Sequence, residues 1–456
     1  MDESRLIAVA LGGLLASWLL AAAFDRFRRA AVLSSSLVAA SAGTAAVLVS
    51  THSVADLKWL PASWFQATDD LAVTIELGQA IEPQSGVVLL ALCLSWAVAS
   101  RAINTAGARS ILCWLGLQIV VTLAATATDL VVVMLSWLAI EEFVEHIAAS
   151  TTSLPSQPPR GGIVLPLRAS SLVLLGAMAL LQTRYHSTTI STLLEVALQD
   201  TRVDATNSRG GIATVLGLAI MLRCGLFPCS LWLKRLLASG STLCVPLTAA
   251  IVAPALVLAV RFIPLWQATD ETPRLFFVMG TVGVVPLILT ALTLQRTSAR
   301  CCLAIVALSG LASLRISANS ELAALVSVSA FALGLLGASF VARRAQEPGA
   351  TNDQPPRSVD VIETSAIASL RRLPRHWWYL EEATAWCVVL PVRWLAAVLE
   401  FADRVVLCGA KEDHWTQHAR EFADILDAIR LGRARYYALA VLWAVVGLGA
   451  VVVLGQ

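Results

Sequence analysis

Charged side chains inside long apolar runs are the residues of this chain best placed to do chemistry. In LSWLAIEEFVEHIAAS, the groups Glu141, Glu142, Glu145 and His146 interrupt an apolar stretch, and Arg223 does the same in GLAIMLRCGLFP. An ionisable group at membrane depth is costly. It is kept where it pairs with an opposite charge or lines a path for a proton or ion. The carboxylates are candidate acceptors for either. A guanidinium holds a carboxylate well but, with a pKa above 12, makes a poor proton relay. The plainer alternative is that 141–146 sits at the lipid headgroups and is solvated. His414 and His418 in KEDHWTQHARE have the i, i+4 spacing a metal can use, yet no third ligand accompanies them, so a solvated helix face explains them as well. No phosphate loop follows a strand, and neither a dinucleotide-binding glycine pattern nor a nucleophile triad is present. The chain therefore offers no catalytic site of its own.

The elements that position these groups are membrane spans. Hydrophobic residues make up 57% of the 456 and charged residues 14%, with a mean hydropathy of +0.74. A soluble domain carries about 25% charged residues. The apolar residues gather in runs near the ~20 that cross a hydrocarbon core of ~30 Å. These runs are 6–24, 30–49, 86–100, 109–127, 129–149, 165–182, 211–232, 242–262, 275–294, 299–316, 321–342 and 436–454. The fold class this predicts is an all-α, polytopic membrane bundle of about twelve transmembrane helices. Loop charges give an independent reading. Arg26, Arg28 and Arg29 place the end of the first run inside. Every second loop onward then carries Arg101 and Arg109, Arg160, Lys234 and Arg235, Arg296 and Arg300, and Arg343 and Arg344. Loop 50–85 is acidic and falls outside. Both termini are thereby expected on the outer side of an energy-transducing membrane, the first run being a retained span rather than a leader. The nine cysteines include no CxxC, and small apolar filler is their expected role. A net charge of +2 gives no reason to expect nucleic acid as a partner.

The expected organisation is a bundle over 1–342, a polar linker over 343–376 that includes EPGATNDQPPRSVD, an amphipathic segment over 377–434, and a final span over 435–456. In the third part Trp386, Val389, Leu390, Trp394 and Leu395 alternate with Arg393, Glu400, Asp403 and Arg404. That mixture suits a lateral helix lying along the membrane surface or across neighbouring helices. A continuous one would reach roughly 80 Å. Pro391 and Gly409 allow two shorter helices instead.

Four stretches resemble the antiporter-like membrane subunits of respiratory NADH-quinone oxidoreductase, complex I, and its chain L in particular. WFQATDDLAVTIELGQAIEPQSG at 64–86 is similar to the short hairpin-like segment that precedes the family's third helix. LRCGLFPCSLWL at 222–233 and VPLTAAIVAPALVLAVRF at 245–262 match in Phe227, Pro228, Trp232, Leu233, Arg261 and Phe262, and QRTSARCCLAIVALSGLASL at 295–314 matches in Arg300, Leu303, Ala304 and Ser309. WWYLEEATAWCVVLPVRWL at 377–395 with GRARYYALAVLWAVVGL at 432–448 looks like the start of the family's lateral helix and its last span.

The resemblance implies a lipid-embedded chain that associates with other membrane subunits of a complex I-like assembly. It would bind no cofactor itself, with NADH, flavin, iron-sulfur clusters and quinone confined to partner subunits. It further implies that an acid on the fifth span faces a cation on the seventh. Leu138 stands at the family's glutamate position, with Glu141 or Glu142 about one turn (5.4 Å) further on and Glu145 beyond, and Arg223 stands where the family has lysine. Other relay positions are replaced: Thr248 and Ser329 stand for histidines and Leu333 for the central lysine, and about three family helices are missing before the lateral segment. The implied function is a membrane-arm subunit, structural or proton-translocating, with its usual relay largely lost. Relatives of chain L in multisubunit cation/proton antiporters or inorganic-carbon uptake complexes, and a non-conducting structural paralogue, are the alternatives.

Overall fold

The computed structural model describes residues 56–66, 72–80, 83–104, 108–150, 163–199, 203–226, 230–238, 243–269, 271–294, 296–317 and 321–344, together with Ala16. All lie in the first of two compact units, Met1–Ile362, the second being Glu363–Gln456. The expected spans 6–24 (apart from Ala16), 30–49 and 436–454, the boundaries at 377 and 435, the lateral segment, His414 and His418 fall outside the described residues, while the last described helix runs to Arg344, just past the boundary expected at 343.

One two-stranded antiparallel hairpin comes first, β1 Asp56–Gln66 and β2 Ala72–Ala80, with register shifts between Lys58 and Leu60 and between Ser63 and Phe65. It is the departure from an all-α chain. The alternating polar and apolar residues of AVTIELGQA suit a strand, and the resemblance had implied a hairpin here. The rest is helical: α1 Pro83–Asn104, α2 Ala108–Thr126, α3 Leu130–Ser150, α4 Val164–Tyr185, α5 Ile190–Gln199, α6 Val203–Cys224, α7 Leu231–Ala238, α8 Cys244–Arg261, α9 Ile263–Gln267, α10 Glu271–Thr293, α11 Thr297–Ser317 and α12 Glu321–Arg344. Hydrocarbon offers no partner to a backbone N–H or C=O, so a spanning segment must satisfy them within itself, as a helix does. Among the described residues four helices are long and apolar enough to cross a membrane: Pro166–Tyr185, Cys244–Arg261, Thr272–Leu292 and Thr297–Leu314. The chain is an integral membrane protein built as a helical bundle.

Every residue of α8 is buried. Its alanines at 249, 250, 253, 255 and 259 keep it slender enough for α1, α2, α3, α6, α11 and α12 to pack against it. Pro254 lies within it and is tolerated because neighbouring helices enclose the backbone it frees. Close approach also marks the α10–α11 contact, where a Cβ on Gly280 would stand 3.0 Å from the carbonyl oxygen of Gly310.

Sequence and structure agree on one narrow division of the spans and differ on another. The break between the fourth and fifth runs is a built clamp. Asp129 caps α3 by accepting from the Val131 N–H (2.7 Å) and accepts from the Thr188 hydroxyl (2.9 Å), while backbone bonds join Leu130 to Thr188 and Ile190 to Thr128. Arg261, at the end of α8, donates to the Ala127 carbonyl at 2.6 Å. Run 211–232 is not one helix: α6 begins earlier, at Val203, and stops at Cys224, and α7 starts afresh at Leu231.

Candidate functional site

The candidate site forms where α3, α4 and the end of α6 meet. On α3 the buried residues Val133, Trp137, Ile140, Glu141, Val144, Ile147 and Ala148 recur at helical spacing and define one inward stripe. Glu141 lies on that stripe, one turn after Trp137. Glu142, rotated by a further ~100°, is exposed, and Leu138 is turned partly outward as well. Helix phase selects one of two adjacent glutamates.

Arg223 reaches the site because α6 ends there. Gly225 adopts φ +69°, in the left-handed region, and its N–H returns to the Leu222 carbonyl at 3.3 Å. The ring of Trp232 lies against it, so that an added Cβ would meet Trp232 Cζ2 at 2.7 Å. Positive φ and lack of space both require glycine. The turn leaves Arg223 on the last turn of its helix, where the carbonyl end of the helix dipole favours a cation.

Arg223 Nη1 donates to Glu141 Oε1, and Nη2 donates to the Trp137 carbonyl at 3.0 Å. The guanidinium carbon stands 4.9 Å from the centroid of the Trp137 ring, within cation–π range. From α4, the Ser171 hydroxyl donates to the same Glu141 oxygen at 2.7 Å. Both charged side chains have 0% exposure. Glu141 Oε2 and Arg223 Nε have no hydrogen-bond partner among the described residues. The arrangement is a desolvated ion pair clamped by a carbonyl, a hydroxyl and an aromatic face. It can fix three helices together. As a relay it is poor, because a guanidinium does not give up its proton.

The remaining sequence candidates are dispersed. Glu142 pairs with Arg168 of α4 on the exposed side of the same helix pair, not with Arg223. Glu145 and His146 are half-buried on the next turn. Thr248 is buried and spends its hydroxyl on the Cys244 carbonyl of its own helix, at 2.8 Å. Ser329 is half-buried, and Leu333 faces outward at 70% exposure. Among the described residues no three His, Cys, Asp or Glu side chains gather as a metal site. Sequence reasoning missed Ser171, Trp137 and Arg168. The Trp137–Glu141 spacing of four was the one available signal; nothing in the sequence pairs α4 with α3.

No protein-family model matches the sequence, and no curated protein matches it. Solved structures do. The chain is similar to one of the Mrp complex from Dietzia sp. DQ12-45-1b, with 21% identity and a TM-score of 0.53 over 73% of this chain and 36% of that one. It is similar to one of respiratory complex I from Thermus thermophilus with bound NADH, with 15% identity and a TM-score of 0.60 over 76% and 72%. A third is from the membrane-bound sulfane sulfur reductase, an archaeal respiratory membrane complex, with 16% identity and a TM-score of 0.57 over 75% and 69%. This chain thus spans about a third of the Mrp chain it matches. The likeness shows the fold, a helical membrane bundle shared with a chain of each of these complexes.

Proposed function

We propose that this chain is a membrane-arm subunit of an NADH-quinone oxidoreductase-like complex, and that its own share is structural. The observation that carries this reading is the Glu141–Arg223 pair: wholly buried, in the fold found in complex I, with a cation that cannot exchange a proton. The pair braces α3, α4 and α6. Cofactors reside in partner chains, and other membrane subunits pack beside this one in an energy-transducing membrane, with both termini on the outer side as loop charges suggest. The bundle over 1–342 does the packing, and the segment over 377–434 serves as a lateral tie.

A second reading is favoured by the likeness to a chain of the Mrp complex: a subunit of a multisubunit cation/proton antiporter. Capture of the tagged chain from its own membranes in mild detergent separates the two. Co-capture of other membrane chains with NADH-oxidising activity supports the proposal. Co-capture with sodium-dependent proton flux and no NADH oxidation transfers the chain to the second reading, and recovery as a lone monomer defeats both.

A further inference from the structure

Consecutive residues at the end of α6 are each held by a different neighbour. Arg223 pairs with Glu141 of α3. The Cys224 side chain meets the Ser309 hydroxyl of α11, and Gly225 lies against the Trp232 ring of α7. Leu226 completes the series. It is wholly buried, and a Cβ built on Gly310 of α11 would stand 2.8 Å from its Cδ2. The same added atom would stand 2.5 Å from Val284 Cγ2 of α10. Leu226 and Val284 thus occupy the room that a side chain at 310 would need, and Gly310 is a notch in α11 that seats both.

The notch depends on the close approach of α10 and α11. A Cβ on Gly280 of α10 would meet Leu314 Cγ at 2.7 Å and the Gly310 carbonyl oxygen at 3.0 Å, so a larger residue there drives the two helices apart. The left-handed turn at Gly225 ends α6 and leads Leu226 to its seat. Leu226 follows Arg223 by three residues, about 10 Å of chain at full stretch. A shift of the seated leucine is therefore felt at the guanidinium. The pair it acts on takes its own partners from α3, α4 and α6.

We propose that Leu226 in the Gly310 notch is a latch that holds Arg223 against Glu141, so that the spacing of α10 and α11 sets the buried ion pair. Leu226, Gly310 and Gly280 are positioning residues for it. Forcing α10 and α11 apart unseats Leu226, loosens the last turn of α6 and weakens the pair. The inference rests on the reading of Glu141 and Arg223 as a brace and adds what holds one side of that brace.

Cys224 adjoins Arg223, is 1% exposed and reports on the last turn of α6; Cys244 of α8 and Cys302 of α11, at 3% and 0%, serve as internal references. Native membranes carrying the full chain are treated with N-ethylmaleimide, and the labelling rate of each cysteine is read by mass spectrometry. Gly280→Ala and Leu226→Ala are each expected to speed labelling of Cys224 by about tenfold while the references keep their wild-type rates. Leu226→Met, of similar volume, should react as wild type. Leu256→Ala, which truncates an equally buried leucine of α8, should not raise Cys224 above the references. Protection of Cys224 in either alanine variant of the latch overturns the proposal, and so does a selective rise in Leu256→Ala. Where all three thiols rise together in Leu226→Ala, the milder Leu226→Val decides, and a joint rise there overturns the latch as well. A second readout is the non-additivity of the melting-temperature shifts of Glu141→Gln and Arg223→Gln. Non-additivity that is largely lost with Gly280→Ala supports the latch. If it is kept in full, this inference alone fails; if the shifts already add in the wild-type background, the brace fails first.

Discussion

Replacing Arg223 with alanine leaves Glu141 buried at 0% exposure with the Ser171 hydroxyl as its one described hydrogen-bond donor. Two charge-assisted bonds disappear, to Glu141 and to the Trp137 carbonyl, together with the stacking on Trp137. Removing one member of a buried pair costs about 3–5 kcal/mol, most of it the penalty on the charge left behind. Converting both partners to apolar residues of similar volume, Glu141→Leu with Arg223→Met, removes that penalty and is expected to fall within about 1 kcal/mol of wild type or above it. The assay is a double-mutant cycle on the detergent-solubilised chain, followed by thermal or denaturant unfolding. A coupling energy of about 3 kcal/mol is expected. Single and double substitutions that add within about 0.5 kcal/mol, or an Arg223→Ala cost below about 1 kcal/mol, would refute the brace.

Three further outcomes follow from the same contacts. Gly225→Ala forces a Cβ onto φ +69° and into Trp232; a loss of at least 1–2 kcal/mol is expected, and unchanged melting would show that the turn is not held as described. Asp129→Ala removes the cap of α3 and the Thr188 bond, with an expected cost of about 1–2 kcal/mol and faster amide exchange in the first turn of α3. Arg223→Lys introduces a cation able to release its proton. Proteoliposomes carrying it should pass more protons under an imposed pH gradient than wild type, and equal flux would remove the argument from the guanidinium.

How much of this was legible in the sequence depended on whether the signal was local. Apolar runs marked the long described helices, because their length and composition are set by the bilayer, but not the short α5 and α9, which lie where loops were expected. Glu141 and Arg223 stood out because charge in such runs is rare. Which of Glu141 and Glu142 turns inward depends on helix phase, and neighbours at 137, 144 and 148 settle it only once the inner face is known. The end of α6 was hidden because CGLFP is as apolar as the helices on either side, so hydropathy runs straight through a break that Gly225 makes by its backbone angle. The start of α6 was missed for the opposite reason: VDATNSRGG is polar yet helical. Ser171 and Arg168 lie 30 and 26 residues from their partners on a separate helix, a pairing that only the packed bundle creates.

The central claim is that this chain belongs to an NADH-oxidising membrane complex and braces it without relaying protons through Glu141 and Arg223. NADH oxidation and the accompanying proton uptake, measured together in sealed inverted vesicles from wild type, a deletion of the chain and the Glu141→Gln/Arg223→Gln variant, test it most directly. The account predicts reduced NADH-quinone activity in the deletion and an unchanged ratio of protons to NADH in the double variant. Full activity in the deletion, or a lowered ratio in the double variant, would contradict it.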